Sequence, residues 1–243
     1  KQFGDAGNEI VIEEFMTGRE VSVLAFCDGK TIKCMTSAQD HKRAKDGDQG
    51  LNTGGMGTFS PSPFYNDEVE AFCEKYVYQS TIDAMASEGR PFTGILFTGL
   101  MITEDGPKVL EYNARFGDPE AEVILPRLES DFIQAILDLM DNKPVELKWT
   151  DKVSHGVVLA STNYPASSTK GSLITGVDDV DGLVFHMGTK MTDEGLVTDG
   201  GRVLMVVTLE DDLQTAFDHT YKELEKIQCK DLFHRNDIGK KDM

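Results

Sequence analysis

The stretch that decides the fold is Lys108-Val109-Leu110-Glu111-Tyr112-Asn113-Ala114-Arg115-Phe116-Gly117-Asp118-Pro119-Glu120, a β-type run that breaks into a polar loop. An extended segment from Val109 to Ala114 puts Glu111, Asn113 and Arg115 on one side and Leu110, Tyr112 and Ala114 on the other. The first side is expected to carry chemistry and the second to face the core. A carboxylate and a carboxamide two residues apart offer oxygens to a hard cation, and magnesium takes one or two such groups, with waters and phosphate oxygens completing its shell. Arg115 can then hold the phosphate that the cation bridges. Taken alone, the Glu111–Asn113 pair reads first as a surface strand with a solvated acid, so the rest of the chain has to argue for the metal.

Thr93 to Ile102 reads as a buried strand that Glu104-Asp105-Gly106-Pro107 turns into the opening stretch, making the two a hairpin. Ile10-Val11-Ile12 reads as a short buried strand leading into Glu13-Glu14-Phe15-Met16-Thr17-Gly18-Arg19-Glu20, an acidic turn. The backbone of Phe15 and Met16 can present N–H and C=O groups to a purine edge, and Glu20 can accept from ribose hydroxyls. By itself such a turn is also an ordinary hairpin. Val21 to Phe26 and Thr31 to Met35 flank Cys27-Asp28-Gly29-Lys30, where Asp-Gly signals an antiparallel hairpin.

Gln39 to Pro63 sustains no helical or strand period, and a loop this long is expected to be functional or disordered. It holds Gln39-Asp40-His41-Lys42-Arg43 and Asn52-Thr53-Gly54-Gly55-Met56-Gly57. The glycines let backbone amides approach an anion and form a nest; a plain glycine linker is the alternative. A Walker loop is excluded, because no Lys-Ser/Thr follows the glycines.

Val69, Phe72, Cys73, Tyr76, Val77 and Ser80 recur at helical spacing, so Asp67 to Ser87 reads as a core helix capped near Asn66. Phe132, Ile133, Ile136, Leu137 and Met140 mark a second core helix from about Asp131 to Asp141. Beyond Asp151 the pattern changes to short strands at Val153 to Ser161, Leu183 to Met187, Leu196 to Thr198 and Val203 to Leu209. A last amphipathic helix carries Leu213, Ala216, Phe217, Thr220, Tyr221, Leu224 and Ile227. The expected organisation is α+β, with residues 1–150 as one domain and 151–243 as a smaller β-rich one.

Of the 243 residues 40% are hydrophobic, enough to bury a core, and no run approaches a membrane span. The first residues do not read as a secretory signal, so a soluble, cytoplasmic protein is expected. The net charge of -18 argues against nucleic acid or anionic membrane as partners, and it makes the basic His41-Lys42-Arg43-Ala44-Lys45 cluster a local exception. Cys27, Cys34, Cys73 and Cys229 lack Cys-x-x-Cys spacing, which favours reduced thiols over zinc or disulfides.

Four motifs now stand in order: Glu13-Glu14-Phe15-Met16-x-Gly-x-Glu20, Gln-Asp-His-Lys-Arg at 39–43, Asn-Thr-Gly-Gly-Met-Gly at 52–57, and Glu-Tyr-Asn-Ala-Arg-Phe-Gly-Asp-Pro-Glu at 111–120. Together they resemble the glycinamide ribonucleotide synthetases (phosphoribosylamine–glycine ligases) of the ATP-grasp superfamily. The likeness continues through Phe185-His186-x-Gly188-Thr189, Thr198-x-Gly200-Gly201-Arg202-Val203-Leu204 and His234-Arg235-Asn236-Asp237-Ile238-Gly239.

The resemblance implies an ATP-grasp fold, an antiparallel sheet with flanking helices, followed by the small β-rich subdomain. It implies Glu111 and Asn113 as ligands of Mg2+ or Mn2+, and Glu13, Glu14, Phe15, Met16 and Glu20 as the ATP-binding set. Asp40, His41, Lys42, Thr53, Gly54, Gly55 and Asp118 would lie against the substrates, and Arg115 would be catalytic. The implied reaction joins glycine to 5-phosphoribosylamine through glycyl phosphate, with ATP as co-substrate, in purine synthesis. The rivals are another ATP-grasp carboxylate–amine ligase and a non-catalytic nucleotide-binding remnant. Such enzymes carry an α/β domain and a lid lysine upstream of the adenine hinge, so the chain is expected to be a fragment, inactive alone, of a parent that can carry further purine-pathway domains. Phe97 to Met101 lacks the acid that many ATP-grasp enzymes place on this strand, as is usual for this family, which implies fewer protein ligands and more water on the metal. One departure is visible: Asn163-Tyr164-Pro165-Ala166 replaces an expected Gly-Tyr-Pro-Gly loop.

Overall fold

The computed structural model describes residues 8–243. Arg19–Asp28 (β1) forms the middle of a four-stranded antiparallel sheet with Ile32–Cys34 (β2), Thr93–Thr103 (β7) and Gly106–Asn113 (β8), in the order β2-β1-β7-β8. The expected Asp-Gly turn joins β1 to β2, with Asp28 Oδ1 accepting from the N–H groups of Lys30 (2.8 Å) and Thr31. The β7–β8 hairpin also forms as expected.

Its register contains a bulge between Gly99 and Leu100: Leu100 pairs with Val109, while Gly99 pairs with Glu111. The extra residue is Leu110, and it lets Lys108 and Glu111 lie on the same face. Tyr112 and Ala114 were expected in the core, yet both are exposed. Strand β8 is the sheet edge, so its helix-side face is only partly covered, and Tyr112 reaches cover through its hydroxyl, 2.8 Å from Thr81 Oγ1.

That helix-side face packs on a rod made of Asp67–Cys73 (α1), a π-helical turn over Glu74–Tyr78, and Gln79–Ser87 (α2). Asn66 caps it, its side chain accepting from Val69 N. Cys73, Val77, Tyr78 and Ile82 meet Val21, Val23, Cys27, Leu96 and Leu100. Phe72 and Tyr76, expected in the core, pack instead against each other on the outer flank, with ring centroids 5.0 Å apart. The Val69–Cys73–Val77 row already fills the inward stripe, and the π turn brings Tyr78 in as well.

The chain leaves the first sheet through Ser22↔Ala38, a single bridge, and enters a second antiparallel sheet at Gln39–Asp40 (β3). This sheet has the order β10-β13-β9-β6-β3, built from Gly57–Ser60 (β6), Val153–Ser161 (β9), Leu183–His186 (β10) and Arg202–Glu210 (β13), with Leu232–Phe233 (β14) also on β9. Its sequence breaks at residue 150, but its hydrogen bonds cross that point, because β6 pairs with β9. Leu24, Phe26 and Phe97 of the first sheet and Val157 to Ala160 and Val203 to Val207 of the second share one apolar core. Ala121–Ile124 (α3) and Phe132–Met140 (α4) contribute to it, and Leu213–Leu224 (α5) packs on β9 and β13.

Two further expectations need correction. Ile10 to Ile12 is no strand, and Ile12 is 87% exposed, because none of the described strands pairs with it and β-propensity alone cannot hold an unpaired strand. On α4 the packed face is Phe132, Ala135, Ile136 and Leu139, whereas Ile133, Leu137 and Met140 point outward. The helix is apolar around most of its girth, so counting apolar positions could not choose the buried side.

Candidate active site

The register of the first sheet brings the expected site residues onto the face opposite the helical rod. Ser22, Gly99 and Glu111 form one cross-strand row, and Glu20 pairs with Met101 and Asn113 with Phe97 in the rows beside it. Glu20, Ser22, Glu111 and Asn113 therefore share a face. The middle of the row carries no side chain, and a Cβ on Gly99 would stand 3.2 Å from Glu111 Cγ. Gly99 thus makes the cradle in which the Glu111 carboxylate lies, at the position where an acid was missing.

Lys42 faces this surface from the segment just beyond β3. Its Nζ lies 3.1 Å from Glu20 Oε2. Burial works to lower its pKa, but Glu20, Asp40 and Glu111 outweigh that and hold the ammonium above its ordinary value. Thus Lys42 is the cation around which three acids of the candidate site gather. A cavity of about 320 Å³ opens beside the pair, lined by Glu20, Lys42, Asp40, Arg43, Met101 and Lys241 among others. A second hollow, about 540 Å³, lies along Glu14 to Gly18 and the β7–β8 turn. Glu14 Oε1 meets Lys108 Nζ there at 2.6 Å, while Glu13 is exposed.

The glycine segment sits differently from an open anion nest. Gly54 N–H donates to the Tyr164 hydroxyl at 3.0 Å, Gly55 N–H to Thr53 Oγ1 at 3.0 Å, and Met56 N–H to His41 O at 2.8 Å. Three successive amides are therefore satisfied inside the fold, and Thr53 Oγ1 is itself tied to Lys42 O. Gly55 has φ +116°, and a Cβ there would come within 2.6 Å of both Pro119 Cδ and Asp40 Oδ1, so the segment is pressed against the 114–120 loop.

His41, expected beside the substrates, is buried, with Nε2 accepting from Gly239 N–H at 3.1 Å and its ring against Phe59. Burial, reinforced by Arg235 and Lys241, pushes its pKa down to about 3, so it enters the site as a neutral ring.

The loop after β8 supplies acids and a cation. Arg115 is exposed, with its guanidinium 5.9 Å from the Phe97 ring centroid. Glu120 is only 4% exposed and accepts from Ser22 Oγ at 2.9 Å. Burial raises its pKa, and burial together with Glu120 raises that of Asp40 well above its ordinary value.

Arg202, from β13, donates to Gly54 O (3.0 Å) and Asp118 O (2.9 Å) and pairs with Asp118 Oδ1 at 2.8 Å. Sequence reasoning assigned no role to Ser22, Glu120, Tyr164 or Arg202. Arg202, Glu120 and Tyr164 had a signal, as members of the Gly-Gly-Arg, Gly-Asp-Pro-Glu and Asn-Tyr-Pro-Ala stretches; Ser22 had none.

An antiparallel sheet carrying a Glu-x-Asn pair, with a second antiparallel sheet folded over the same face, defines a protein of the ATP-grasp class. Residues 1–121 match the family model "Phosphoribosylglycinamide synthetase, ATP-grasp (A) domain", and residues 154–241 match "Phosphoribosylglycinamide synthetase, C domain". The chain belongs to the phosphoribosylglycinamide synthetase family.

It is 50% identical, over 99% of its length, to a phosphoribosylamine–glycine ligase of Halalkalibacterium halodurans, of which it covers 56%. It is 46% identical, over 98% of its length, to 24% of the trifunctional purine biosynthetic protein adenosine-3 of Gallus gallus. Among solved structures it resembles the phosphoribosylamine–glycine ligase of Thermotoga maritima, with a TM-score of 0.84 and 34% identity, over 93% of this chain and 57% of that one. The chain thus spans a little over half the length of the single-function relatives.

Proposed function

We propose that the polypeptide carrying this chain joins glycine to 5-phosphoribosylamine at the expense of ATP, giving glycinamide ribonucleotide, ADP and phosphate in de novo purine synthesis. The observation that carries the reading is the shared face of Glu20, Glu111 and Asn113 with Lys42 opposite them, beside a cavity of about 320 Å³.

Glu111 and Asn113 fit a hard cation: two oxygen donors on one strand face, with Gly99 leaving space for the Glu111 side chain and waters and phosphate oxygens to complete the shell. Bound there, Mg2+ or Mn2+ would neutralise charge on the phosphates being transferred. The hollow along Glu14 to Gly18 is the seat for adenine, with backbone groups meeting the purine edge and Glu20 meeting the ribose. Lys42 holds Glu20 in the free chain, so nucleotide binding exchanges that ion pair for contacts to the ligand.

Glycine carboxylate attacks the γ-phosphorus of ATP, ADP leaves, and the amine then displaces phosphate from glycyl phosphate. In this scheme Arg115 steadies the transferring phosphoryl, Lys42 and Asp118 orient the substrates, and Thr53 to Gly55, closed down on the 114–120 loop, keep water from the acyl phosphate. The enzyme works in the cytoplasm on small molecules, not on nucleic acid or membranes. None of its described helices is long and apolar enough to cross a membrane. Parents with further purine-pathway domains are expected, since the Gallus gallus relative is a trifunctional purine biosynthetic protein.

The test is glycine-dependent ADP release by the full-length polypeptide, with Glu111→Gln abolishing it while the fold is retained. ADP release with another carboxylate and none with glycine would favour a different carboxylate–amine ligase of the same fold. Unchanged turnover in Glu111→Gln would remove the metal assignment.

A further inference from the structure

The motif His234-Arg235-Asn236-Asp237-Ile238-Gly239 has no part in the scheme above, yet it touches the site loop at many points. Arg43–Lys45 (β4) and Gln49–Asn52 (β5) form a two-stranded hairpin that pairs with no other strand among the described residues, and its outer surface is exposed. An isolated two-stranded ribbon holds its shape poorly in water. Here the tail of the chain fastens it.

Arg235 is 1% exposed. Its guanidinium donates to Arg43 O at 3.0 Å, pairs with Asp48 at 3.1 Å, and forks onto both oxygens of Asp237 at 2.8 and 3.0 Å. Asp237 Oδ2 accepts in turn from Gly47 N–H at 2.7 Å. Asn236 makes two bonds to Asp46, at 2.7 and 2.9 Å, and Lys241 reaches Asp48 at 2.6 Å. On the near side of the hairpin, Gly239 N–H meets His41 and Asp242 meets Gln39 Nε2 at 2.7 Å. The clasp therefore grips the chain on both sides of Lys42, while Thr53 N–H, returning from the hairpin, holds Lys42 O at 2.7 Å.

We propose that Arg235 is a positioning residue: through Asp237, Asp48 and the Arg43 carbonyl it fixes the 39–53 hairpin, and so sets where the Lys42 ammonium stands against Glu20, Asp40 and Glu111. A lysine cannot replace it, because a point charge cannot hold a carbonyl and two carboxylates in fixed directions at once. The geometry of the clasp stands alone; its effect on turnover rests on the ligase reading.

The test compares Arg235→Lys and Asp237→Asn with wild type. Hydrogen exchange on the chain should show the amides of residues 41–53 opening at least about tenfold faster, with β9 and β13 unchanged. In the full-length polypeptide, Arg235→Lys should raise by about tenfold the same KM that Lys42→Met raises, with a smaller change in kcat. A merely structural role lowers the active fraction, hence kcat, and leaves every KM in place. That pattern, or unaltered exchange over 41–53, overturns the proposal. Should wild type show no glycine-dependent turnover, the ligase reading fails and exchange alone decides the clasp. If Arg235→Lys does not fold, Asp237→Asn answers the same question, since it leaves the guanidinium its Asp48 partner.

Discussion

Replacing Arg202 by Met tests whether the second half of the chain supports the site. Arg202 is 18% exposed and makes two charged hydrogen bonds to carbonyls, Gly54 O and Asp118 O, besides its ion pair with the half-exposed Asp118 carboxylate. A hydrogen bond to a charged group contributes roughly 1.5–3 kcal/mol. Gly54 and Asp118 are exposed, so the freed carbonyls can take water, and the low end applies. The ion pair adds less than about 1 kcal/mol, being screened. The sum is about 3 kcal/mol.

Methionine keeps most of the aliphatic packing, so the loss is polar. Urea unfolding should show it as a lower midpoint at constant slope, and a melt as a fall of about 6–12 °C. Arg202→Lys, whose shorter side chain ends before the position of Nη1, the nitrogen that makes all three contacts, should retain about half of the stabilisation. In the full-length polypeptide, turnover should fall with Arg202→Met, because the Gly54 segment loses its tie to the 114–120 loop. A loss below about 0.5 kcal/mol for Arg202→Met would refute the reasoning, since the contacts would then be matched by water in the unfolded chain.

Other outcomes follow from the same geometry. Gly55→Ala should cost roughly 2–4 kcal/mol in a melt, from strain at φ +116° plus contact with Pro119 and Asp40, while Gly89→Ala, which meets nothing within 4 Å, should cost about 1 kcal/mol. His155 is buried, bonded to Thr220 Oγ1 and Ile238 O, and burial pushes its pKa down to about 4. Its folded pKa lies below the unfolded value near 6.5, so stability is full above that pH and falls by up to about 1.4 kcal/mol per unit as pH drops toward 4. His155→Asn should be less stable at neutral pH but flatter across that window in urea titrations.

Glu122 runs the other way. Burial, then Asp118, raises its carboxyl to about 7, and its Oε2 is buried without a partner. A folded pKa above the unfolded one favours the protonated form, so the cost of ionisation appears as pH rises from about 4.5 through 7. Glu122→Gln should therefore be more stable than wild type at pH 8 by about 1–2 kcal/mol and no more stable at pH 4. Because the two titrations oppose, each is read as the difference between variant and wild type at matched pH.

Some strands were legible in the sequence, but β3 to β6 were not: Gln39 to Pro63 was expected to be a loop, and its short strands are held by partners far along the chain or by a lone hairpin rather than by any local alternation. Asp28-Gly29, the β7–β8 turn and the β9, β10 and β13 runs declared themselves through alternation and turn residues, which act over a few neighbours. Helix existence was also legible, through apolar recurrence at helical spacing and, for the first helix, the Asn66 cap. Which side each helix buries was not: Phe72, Tyr76, Ile133 and Met140 are as apolar as their buried neighbours, and only the facing sheet distinguishes them. The Ile10 to Ile12 run failed for a related reason, since a strand exists only beside another strand.

For the site, the sequence by itself determined the chemical inventory: Glu111 and Asn113 two residues apart on a strand, the basic cluster at 41–45, and glycines at 54, 55 and 57. Strand alternation is local, so it put Glu111 and Asn113 on one face without further help. Tertiary structure decided everything that joins distant segments. It set the Ser22–Gly99–Glu111 row, brought Lys42 to Glu20, turned the imidazole of His41 inward, closed the glycine amides on Tyr164 and Thr53, and recruited Arg202 and Arg235 from far along the chain. Those partners lie up to 198 residues apart. No spacing rule reaches that far, because what brings them together is the burial of one apolar core between two sheets, and the polar geometry follows from it.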